Sequence, residues 1–220
     1  MAASAGRGAL TRNSTSKSGK VAQSLNLGSA RLYPGYLDAE TQAALVADIR
    51  GVAAVAPFVQ HETRRGKMSV RMTSAGQVGW VSDRMGYRYA PRHPSGVDWP
   101  PIPERVLAIW RVVSGVSRSP DTCLVNYYDD QARMGMHQDA DEASFDWPVV
   151  SVSLGDEALF RIGGDARGGA TVSHWLKSGD VVVLAGTARK AYHGIDRIRP
   201  RTSKLLPKGG RINLTLRVAH

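Results

Sequence analysis

One stretch of this chain alternates strictly between polar and apolar residues: Arg211-Ile212-Asn213-Leu214-Thr215-Leu216-Arg217-Val218. Because side chains i and i+2 of a β-strand point to the same face, the apolar residues share one face and the polar residues share the other. The pattern predicts a strand whose apolar face packs into the structure. The polar face, which carries Arg211 and Arg217, then needs either a buried partner or solvent. A strand at the edge of a sheet, with one face in solvent, is the alternative.

Short strands separated by turn residues are predicted throughout the chain after Pro120. Glycine pairs such as Gly163-Gly164 and Gly209-Gly210 mark several of the turns. Many short strands after two helices indicate a jelly roll or β-sandwich with the helices on one face. The predicted strands are residues 122–128, 133–138, 148–154, 158–162, 171–176, 180–184, 191–193 and 211–218.

Two helices are predicted upstream of these strands. The first begins after the N-cap residue Asp38 and runs to about residue 52. The second covers residues 103–114 and is followed by Gly115. The apolar stripe of the second helix is formed by Val106, Leu107, Trp110 and Val113.

The composition indicates one basic globular domain. The chain has 220 residues, a net charge of +10 and a pI of about 10.1, which favours a polyanionic partner such as nucleic acid. A generally basic surface with no specific partner is the alternative. The single cysteine, Cys123, fits a reducing compartment, and no apolar run is long enough to cross a membrane. We therefore expect a monomer in the cytoplasm.

Residues 1–26 are expected to form a flexible basic tail. They are rich in Ser, Ala and Gly, and they contain four basic residues and no acid. An organellar transit peptide is the alternative, although no sustained amphipathic helix is visible there. Residues 27–220 are then expected to form the domain, with the jelly-roll core at 120–220.

Basic and aromatic residues interleave between the two helices, in residues 57–99. Positive charge meets phosphates and flat rings stack on bases, so this segment favours contact with nucleic acid. A solvated loop-and-hairpin region with a few core aromatic residues is the alternative. The residues are His61, Arg64, Arg65, Lys67, Arg71, Trp80, Arg84, Tyr87, Arg88, Tyr89 and Arg92.

A His-x-Asp pair at His137 and Asp139, with His193 downstream, matches a metal site of two histidines and one carboxylate. On a strand, His137 and Asp139 point to the same side and can bind one ion together. This ligand set leaves three coordination positions open and suits non-haem Fe(II), whereas zinc more often takes a third histidine or a cysteine. Such a pattern arises easily by chance, so it needs support from other residues.

Arg211 and Arg217 on the predicted last strand give that support. Arginine binds a carboxylate through two parallel hydrogen bonds, so either residue could hold the far carboxylate of 2-oxoglutarate while iron binds the other end. Together with the basic aromatic segment, these features predict an Fe(II) oxygenase that uses 2-oxoglutarate and O₂ and acts on nucleic acid.

A set of motifs runs from about Leu32 to the C-terminus. They are Met68-Ser69-Val70, Gly79-Trp80, Gly86-Tyr87, Asn126 with Tyr128, His137-Gln138-Asp139, Val150-Ser151-Val152-Ser153-Leu154-Gly155, Gly179-Asp180-Val181-Val182-Val183, Tyr192-His193-Gly194, and Arg211-x-Asn213-Leu214-Thr215-x-Arg217. With these motifs the chain resembles the AlkB family of DNA alkylation-repair dioxygenases, in its bacterial form. The resemblance implies an α+β fold with a double-stranded β-helix core (jelly-roll or cupin-like), supporting helices on one face, and a nucleotide-recognition lid at residues 57–99.

The resemblance also implies a role for each matching residue. Iron would be bound by His137, Asp139 and His193. The 2-oxoglutarate site would be formed by Asn126, Tyr127, Tyr128, Arg211, Asn213 and Arg217. The substrate would be contacted by Trp80, Tyr87, Arg88, Tyr89, Asp141 and Arg167, with Asp141 attracting a cationic lesion. Two departures from the best-known bacterial member are Tyr127, in place of an arginine, and Asp129-Asp130-Gln131, in place of a Pro/Gly turn. The basic loop 197–208 could bind a phosphate backbone, or it could be a solvated charge run that packs in part.

The implied activity is oxidative demethylation of bases such as 1-methyladenine and 3-methylcytosine, with release of formaldehyde, succinate and CO₂. The substrate would be alkylated DNA, single-stranded or duplex, with RNA as a second candidate, and through it the protein would associate with the nucleoid. The metal site alone leaves open a 2-oxoglutarate-dependent hydroxylase of RNA, protein or lipid. A non-catalytic nucleic-acid-binding relative also stays open, although the three metal ligands and both arginines argue against it.

Overall fold

The computed structural model of the chain describes residues 23–63, 66–84 and 86–220. The expected tail at residues 1–26 lies almost wholly outside this range, as do Arg64 and Arg65 of the basic segment. The described residues form two α-helices and two main antiparallel sheets, which face each other. The predicted α+β jelly roll with helices on one face is therefore confirmed.

Both helices lie close to their predicted positions. They are α1 (Ala39–Val55) and α2 (Glu104–Val113). The N-cap of α1 is Asp38, whose carboxylate accepts a hydrogen bond from the backbone N–H of Thr41 at 2.8 Å. On α2 the predicted stripe is partly wrong, because Ile109 is buried and Leu107 is only half-buried.

The large sheet contains seven strands in the described chain. In spatial order they are β1 (Leu25–Leu27), β2 (Ala30–Tyr33), β13 (Val181–Leu184), β10 (Val149–Gly155), β15 (Arg211–Arg217), β8 (Thr122–Tyr128) and β5 (Arg71–Gly76). Strand β15 pairs with both β10 and β8, and all of its residues are buried. The alternative of an edge strand with one wet face is therefore wrong, and the polar face of β15 lies inside the molecule.

The helices cover one face of the large sheet. There Leu45 and Ile49 of α1 and Trp110 of α2 belong to one buried cluster with Val125 and Leu214 of the sheet. This packing leaves the opposite face of the sheet, with Arg211 and Arg217, free to face the second sheet.

The small sheet contains four strands in the described chain. In spatial order they are β12 (Val172–Leu176), β11 (Glu157–Ile162), β14 (His193–Arg199) and β9 (Met134–His137). Apolar side chains meet between the two sheets, with Leu124 and Val182 from the large sheet and Phe160 and Ile195 from the small sheet. The space between the sheets is therefore a second core, and its open end holds the polar residues described below.

The segment 57–99 is divided between the core and two separate hairpins. The hairpins are β3 (Glu62–Thr63) with β4 (Gly66–Lys67), and β6 (Gly79–Asp83) with β7 (Gly86–Ala90). Strand β5 belongs to the large sheet, where it pairs with β8. Both hairpins therefore stand outside the jelly-roll core, as does the turn that an isolated bridge closes between Arg92 and Asp98.

One strand prediction needs correction, and one hairpin has no counterpart among the predicted strands. The predicted strand at residues 191–193 begins at His193 and runs on to Arg199, so the expected basic loop at 197–208 starts inside it. The hairpin of β1 and β2 was not predicted, and it extends the large sheet at the β13 edge. No helix in the described part of the chain is long and apolar enough to cross a membrane.

Candidate metal centre and adjoining cavity

The three predicted metal ligands come together where β9 and β14 pair. His137 and His193 are directly opposite each other in the register of the two strands, and Asp139 lies two residues past the end of β9. Nε2 of His137 lies 3.7 Å from Oδ1 of Asp139, and Nε2 of His193 lies 3.7 Å from Oδ2. The three donor atoms all lie within 4.8 Å of one another, so one metal ion can contact all of them.

Backbone carbonyl groups fix the orientation of both imidazole rings. Nδ1 of His137 lies 2.9 Å from the carbonyl oxygen of Gly135, and Nδ1 of His193 lies 2.9 Å from that of Ala191. Because a carbonyl oxygen only accepts hydrogen bonds, Nδ1 carries the proton in each ring and the lone pair of Nε2 is left for a metal. Burial lowers the pKa of His193, which favours the neutral form that binds metal.

Asp139 is held as a carboxylate by positive charge. Nη2 of Arg217 donates to Oδ1 of Asp139 at 2.8 Å, and Nε of Arg217 donates to Oδ2 at 3.3 Å. Burial by itself would raise the pKa of the Asp139 carboxyl, but Arg217 and the two histidines outweigh burial and hold that pKa below its ordinary value. Asp139 therefore stays ionised, as a metal ligand must. Of the two arginines proposed for 2-oxoglutarate, Arg217 is thus already engaged.

A buried charged network behind Asp139 was missed by the sequence reasoning. Arg189 donates to the backbone oxygen of Asp139 at 2.6 Å and to Oε2 of Glu142 at 2.9 Å. Glu142 also accepts a hydrogen bond from the Tyr89 hydroxyl at 2.7 Å and lies 3.2 Å from Nε of Arg217. Tyr89 belongs to β7, so the network joins the hairpin to the loop that carries Asp139. The one available signal was the closeness of Glu142 to the His-x-Asp motif in the sequence.

Arg211 on β15 is 1% exposed, and part of its hydrogen-bonding capacity is unused. Nη2 donates to Oγ of Ser153 at 3.0 Å, but Nε and Nη1 have no hydrogen-bond partner among the described residues. Burial lowers the pKa of the Arg211 guanidinium and raises the pKa of the adjacent Tyr128 hydroxyl. A buried cation with unpartnered donors is costly unless a ligand supplies oxygen atoms. This position therefore suits a carboxylate, which can accept two parallel hydrogen bonds.

A cavity of about 200 Å³ joins the metal ligands, Arg211 and the β6–β7 hairpin. Beside Arg211, Nδ2 of Asn213 is held by Oγ of Ser151 at 2.8 Å and by the carbonyl oxygen of Val152 at 3.0 Å. The predicted site residues that line the cavity are Trp80, Tyr87, Tyr89, Asn126, Tyr128, His137, Asp139, Asp141, His193, Arg211, Asn213 and Arg217. Most of the predicted site is therefore brought together in one place.

Tyr127 is not part of this cavity, and its predicted place in the 2-oxoglutarate site is corrected. Side chains alternate along β8, so Tyr127 faces the helix-covered side while Asn126 and Tyr128 line the cavity. The Tyr127 hydroxyl donates to the carbonyl oxygen of Gly209 at 3.2 Å. Tyr127 thus supports the loop before β15 instead of a ligand between the sheets.

Two of the predicted substrate residues also lie away from the cavity. Arg88 forms an ion pair with Asp83 at 2.7 Å on the surface of the β6–β7 hairpin. The guanidinium of Arg167 lies over the ring of Tyr192, 5.3 Å from its centroid. Neither arginine lines the cavity, so any contact with a substrate would have to lie outside it.

The entrance of the cavity is aromatic and acidic. The indole N–H of Trp80 donates to Oδ2 of Asp141 at 2.8 Å, and the indole stacks on the Tyr87 ring with centroids 5.2 Å apart. Tyr87 is 56% exposed, whereas Arg211 at the other end is 1% exposed, so the cavity runs from the surface to the core. A flat cationic group entering it would meet aromatic faces and a carboxylate.

Comparison with known proteins decides the family. Residues 29–217 match the 2OG-Fe(II) oxygenase superfamily. Over 190 residues the chain is 54% identical to the Alpha-ketoglutarate-dependent dioxygenase AlkB homolog of Caulobacter vibrioides (strain NA1000 / CB15N), with 86% of each chain covered. The chain belongs to the AlkB family.

Further AlkB relatives agree in sequence and in fold. The Alpha-ketoglutarate-dependent dioxygenase AlkB of Escherichia coli (strain K12) is 39% identical over 181 residues, which cover 80% of this chain and 83% of that protein. The solved structure of OsALKBH1 superimposes with a TM-score of 0.74 at 30% identity, covering 89% of this chain and 98% of that one. The double-stranded β-helix expected from the sequence is thereby confirmed.

As a member of the AlkB family, the chain is an Fe(II)- and 2-oxoglutarate-dependent dioxygenase that uses O₂. The residues present fit these cofactors. Two imidazole nitrogens and a carboxylate converge as Fe(II) requires, and the unpartnered nitrogens of Arg211 suit the far carboxylate of the co-substrate. The non-catalytic alternative is therefore set aside.

Proposed function

We propose that this dioxygenase removes N-linked methyl groups from DNA bases such as 1-methyladenine and 3-methylcytosine. The observation that carries the proposal is a single cavity that joins the metal ligands, the unpartnered Arg211 and an aromatic, acidic entrance. One O₂ and one 2-oxoglutarate are consumed for each methyl group. The products are the repaired base, formaldehyde, succinate and CO₂.

In this proposal His137, Asp139 and His193 hold the Fe(II). Bound Fe(II) supplies the activation of O₂ that allows an unreactive C–H bond of the methyl group to be hydroxylated. The chain's own contribution is to present two unprotonated Nε2 atoms and one ionised carboxylate on the same side of the cavity. The carbonyls behind the imidazoles and the guanidinium of Arg217 maintain those protonation states.

Arg211 holds the far carboxylate of 2-oxoglutarate in this proposal. Nε and Nη1 of Arg211 are buried donors without a hydrogen-bond partner among the described residues, so both are available to a carboxylate. Asn126, Tyr128 and Asn213 line the same end of the cavity and confine the co-substrate between Arg211 and the metal ligands. A five-carbon diacid bound in this way directs its keto-acid end toward the metal.

Arg211→Met should raise the KM for 2-oxoglutarate by about 30-fold or more, as expected when a buried, hydrogen-bonded charge pair loses one member. The metal-free, ligand-free protein should be at least as stable as the wild type, because methionine removes a buried cation with unpartnered donors. Succinate release gives the KM, and thermal unfolding with and without 2-oxoglutarate gives binding independently of turnover. The matched control is Arg197→Met, on the exposed face of β14. A normal rise in Tm with 2-oxoglutarate in Arg211→Met would contradict the assignment.

The entrance residues are proposed to select the base. A methylated base must leave the helical stack to reach the metal, and stacking on Trp80 would offset part of that cost, by about 1–3 kcal/mol. In the described structure the Trp80 indole donates a hydrogen bond to Asp141 and stacks on the Tyr87 ring. An incoming cationic base would replace these contacts, stacking on the indole and placing its charge beside the Asp141 carboxylate. Neutral unmethylated bases lack that electrostatic attraction.

The decisive experiment measures formaldehyde and succinate together on matched oligonucleotides. The substrates are single-stranded DNA, duplex DNA and RNA of one sequence, each carrying 1-methyladenine, 3-methylcytosine or no lesion. We expect equal amounts of the two products on methylated DNA and none above background on the unmethylated strand. Succinate without formaldehyde on every methylated strand would overturn the proposal. Turnover confined to RNA would instead favour the RNA hydroxylase alternative.

The proposal includes the setting in which the enzyme acts. We propose that residues 27–220 work as one domain, as a monomer, in the cytoplasm and on nucleoid DNA. A lone buried cysteine, Cys123, supports a reducing compartment. Size-exclusion chromatography with light scattering tests the monomer, and a dimer at micromolar concentration would contradict it.

A further inference from the structure

A second cavity, of about 390 Å³, lies on the opposite side of β8 from the metal ligands. Its wall includes Tyr127, the residue that strand alternation turns away from the first cavity. Arg50 of α1, Arg71 of β5 and Lys208 of the loop before β15 contribute three cations, and no acidic residue lines it. The two cavities share no lining residue, so the second cavity is separate from the metal site.

The three cations of this cavity have no acidic partners. None of Arg50, Arg71 and Lys208 forms an ion pair in the described chain, whereas exposed arginines such as Arg88 and Arg105 do. Like charges that surround one concavity repel each other and raise the local concentration of anions. The cavity is therefore electrostatically suited to a phosphate group.

The floor of the cavity is aromatic and apolar. The ring centroids of Phe58 and Tyr127 lie 6.2 Å apart. The guanidinium of Arg71 lies over the Tyr127 ring, 4.7 Å from its centroid. Arg71 and Tyr127 are directly opposite in the register of β5 and β8, which holds this stack in place. Leu206 completes the floor. Aromatic rings and guanidinium planes are the surfaces on which nucleic-acid bases stack.

The loop that carries Lys208 is fixed by hydrogen bonds between its backbone and the side chains of Tyr127 and Asp156. The Tyr127 hydroxyl donates a hydrogen bond to the carbonyl oxygen of Gly209, and the N–H of Gly210 donates one to Oδ2 of Asp156 at 2.9 Å. Gly210 has φ of +85°, and a Cβ there would lie 2.5 Å from the carbonyl oxygen of Tyr128. The close approach needs glycine, so the loop is held at one distance from β8 and the cavity is preformed.

We propose that this second cavity binds a nucleoside phosphate. The base lies against Phe58 and the outer plane of Arg71, and the phosphate lies between Arg50 and Lys208. The volume falls within the roughly 300–1,000 Å³ of small-molecule pockets. A free mononucleotide and one nucleotide of a strand share this chemistry. The site goes beyond the proposed demethylation, because it lies on the far side of the large sheet from the metal ligands.

The test compares two charge-matched double variants of the full chain by isothermal titration calorimetry with deoxyadenosine monophosphate. Arg50→Gln with Lys208→Gln removes two cations of the cavity, and Arg31→Gln with Lys204→Gln removes two exposed cations that do not line it. We expect the first pair to weaken binding by about tenfold and the second pair to leave it nearly unchanged. Inorganic phosphate should bind the wild type more weakly than the nucleotide, because it cannot stack. All four residues are exposed, so the fold should survive in both variants, which thermal unfolding checks.

A second probe distinguishes the two sources of the ligand. Binding of a short unmethylated oligothymidylate is measured over a range of salt concentrations. If a strand occupies the cavity, Arg50→Gln with Lys208→Gln lowers the salt slope by about 0.7, since the two cations share one phosphate and each neutralised phosphate of a single strand contributes about 0.7. If only the mononucleotide binds more weakly, the ligand is a free nucleotide. The proposal is overturned if neither probe responds, if the control variant responds equally, or if inorganic phosphate binds as tightly as the nucleotide.

Discussion

His137→Ala should abolish demethylation while leaving the binding of unmethylated DNA largely intact. The change removes one of three donor atoms that lie within 4.8 Å of one another, and Asp139 and His193 alone hold a metal poorly. Metal affinity and turnover should therefore both fall by more than the roughly 10–100-fold that loss of an outer hydrogen-bond partner costs. Formaldehyde release measures turnover, and the visible absorption of Co²⁺ added to metal-free protein measures metal binding.

The matched control for this change is His174→Ala. His174 lies on β12 of the same small sheet, is half-buried like His137, and does not line the cavity. It should retain turnover and Co²⁺ binding. Fluorescence anisotropy of a labelled oligonucleotide should give similar affinities for both variants, because neither changes the entrance residues Trp80, Tyr87 and Asp141. Persistent turnover in His137→Ala at the level of His174→Ala would show that the metal is held elsewhere.

Strands marked by a two-residue period or by a short apolar run between turn residues could be predicted from the sequence. Residues 122–128 were predicted as a strand, and β8 has these bounds. The pattern at residues 211–218 corresponds to β15. The alternating pattern of β15 does not show which strands pair with it on either side. Whether the polar face of β15 meets solvent or a second sheet depends on contacts with residues far away in the chain, so the edge-strand alternative could only be decided by the structure.

Strand β14 shows why a periodic pattern can fail. Ile195 and Ile198 are both buried although they are three residues apart, because the register with β11 shifts between Ala158 and Phe160. A β-bulge adds a residue on one strand and breaks the alternation that sequence reasoning relies on. Without the alternation, the sequence around the basic residues Arg197 and Arg199 looks like a solvated loop. In the structure both residues lie within β14.

The site was predictable where one motif carries several of its residues and unpredictable where single residues meet from distant segments. His137 and Asp139 share a motif, and strand alternation would also have excluded Tyr127 from the face of Asn126 and Tyr128. Glu142 and Arg189 have no such pattern, because their pairing depends on the fold bringing two loops together. The sequence therefore predicts the three candidate metal ligands that the fold brings together, but not the residues that support them.

Arg189→Met should destabilise the metal-free protein by about 3 kcal/mol or more, the cost typical of removing one member of a buried ion pair. The Arg189 side chain is 3% exposed and donates hydrogen bonds to three oxygen atoms, namely the carbonyls of Asp139 and Trp147 and Oε2 of Glu142, of which the contacts with Asp139 and Glu142 are buried. Methionine fills similar space but donates no hydrogen bond, so these oxygens lose a partner without gaining water. Urea unfolding of metal-free protein measures the change without any contribution from metal binding.

Lys190→Met provides the matched control, because it removes a neighbouring cation from the same segment. Lys190 is exposed and lies over the Phe145 ring, 4.5 Å from its centroid, so its loss should cost less than about 1 kcal/mol. A double-mutant cycle with Glu142→Gln isolates the interaction between Arg189 and Glu142. If Arg189 positions the Asp139 loop, Arg189→Met should also weaken Co²⁺ binding, whereas Lys190→Met should not. Equal effects of the two methionine variants on stability and on Co²⁺ affinity would show that Arg189 does not position the Asp139 loop.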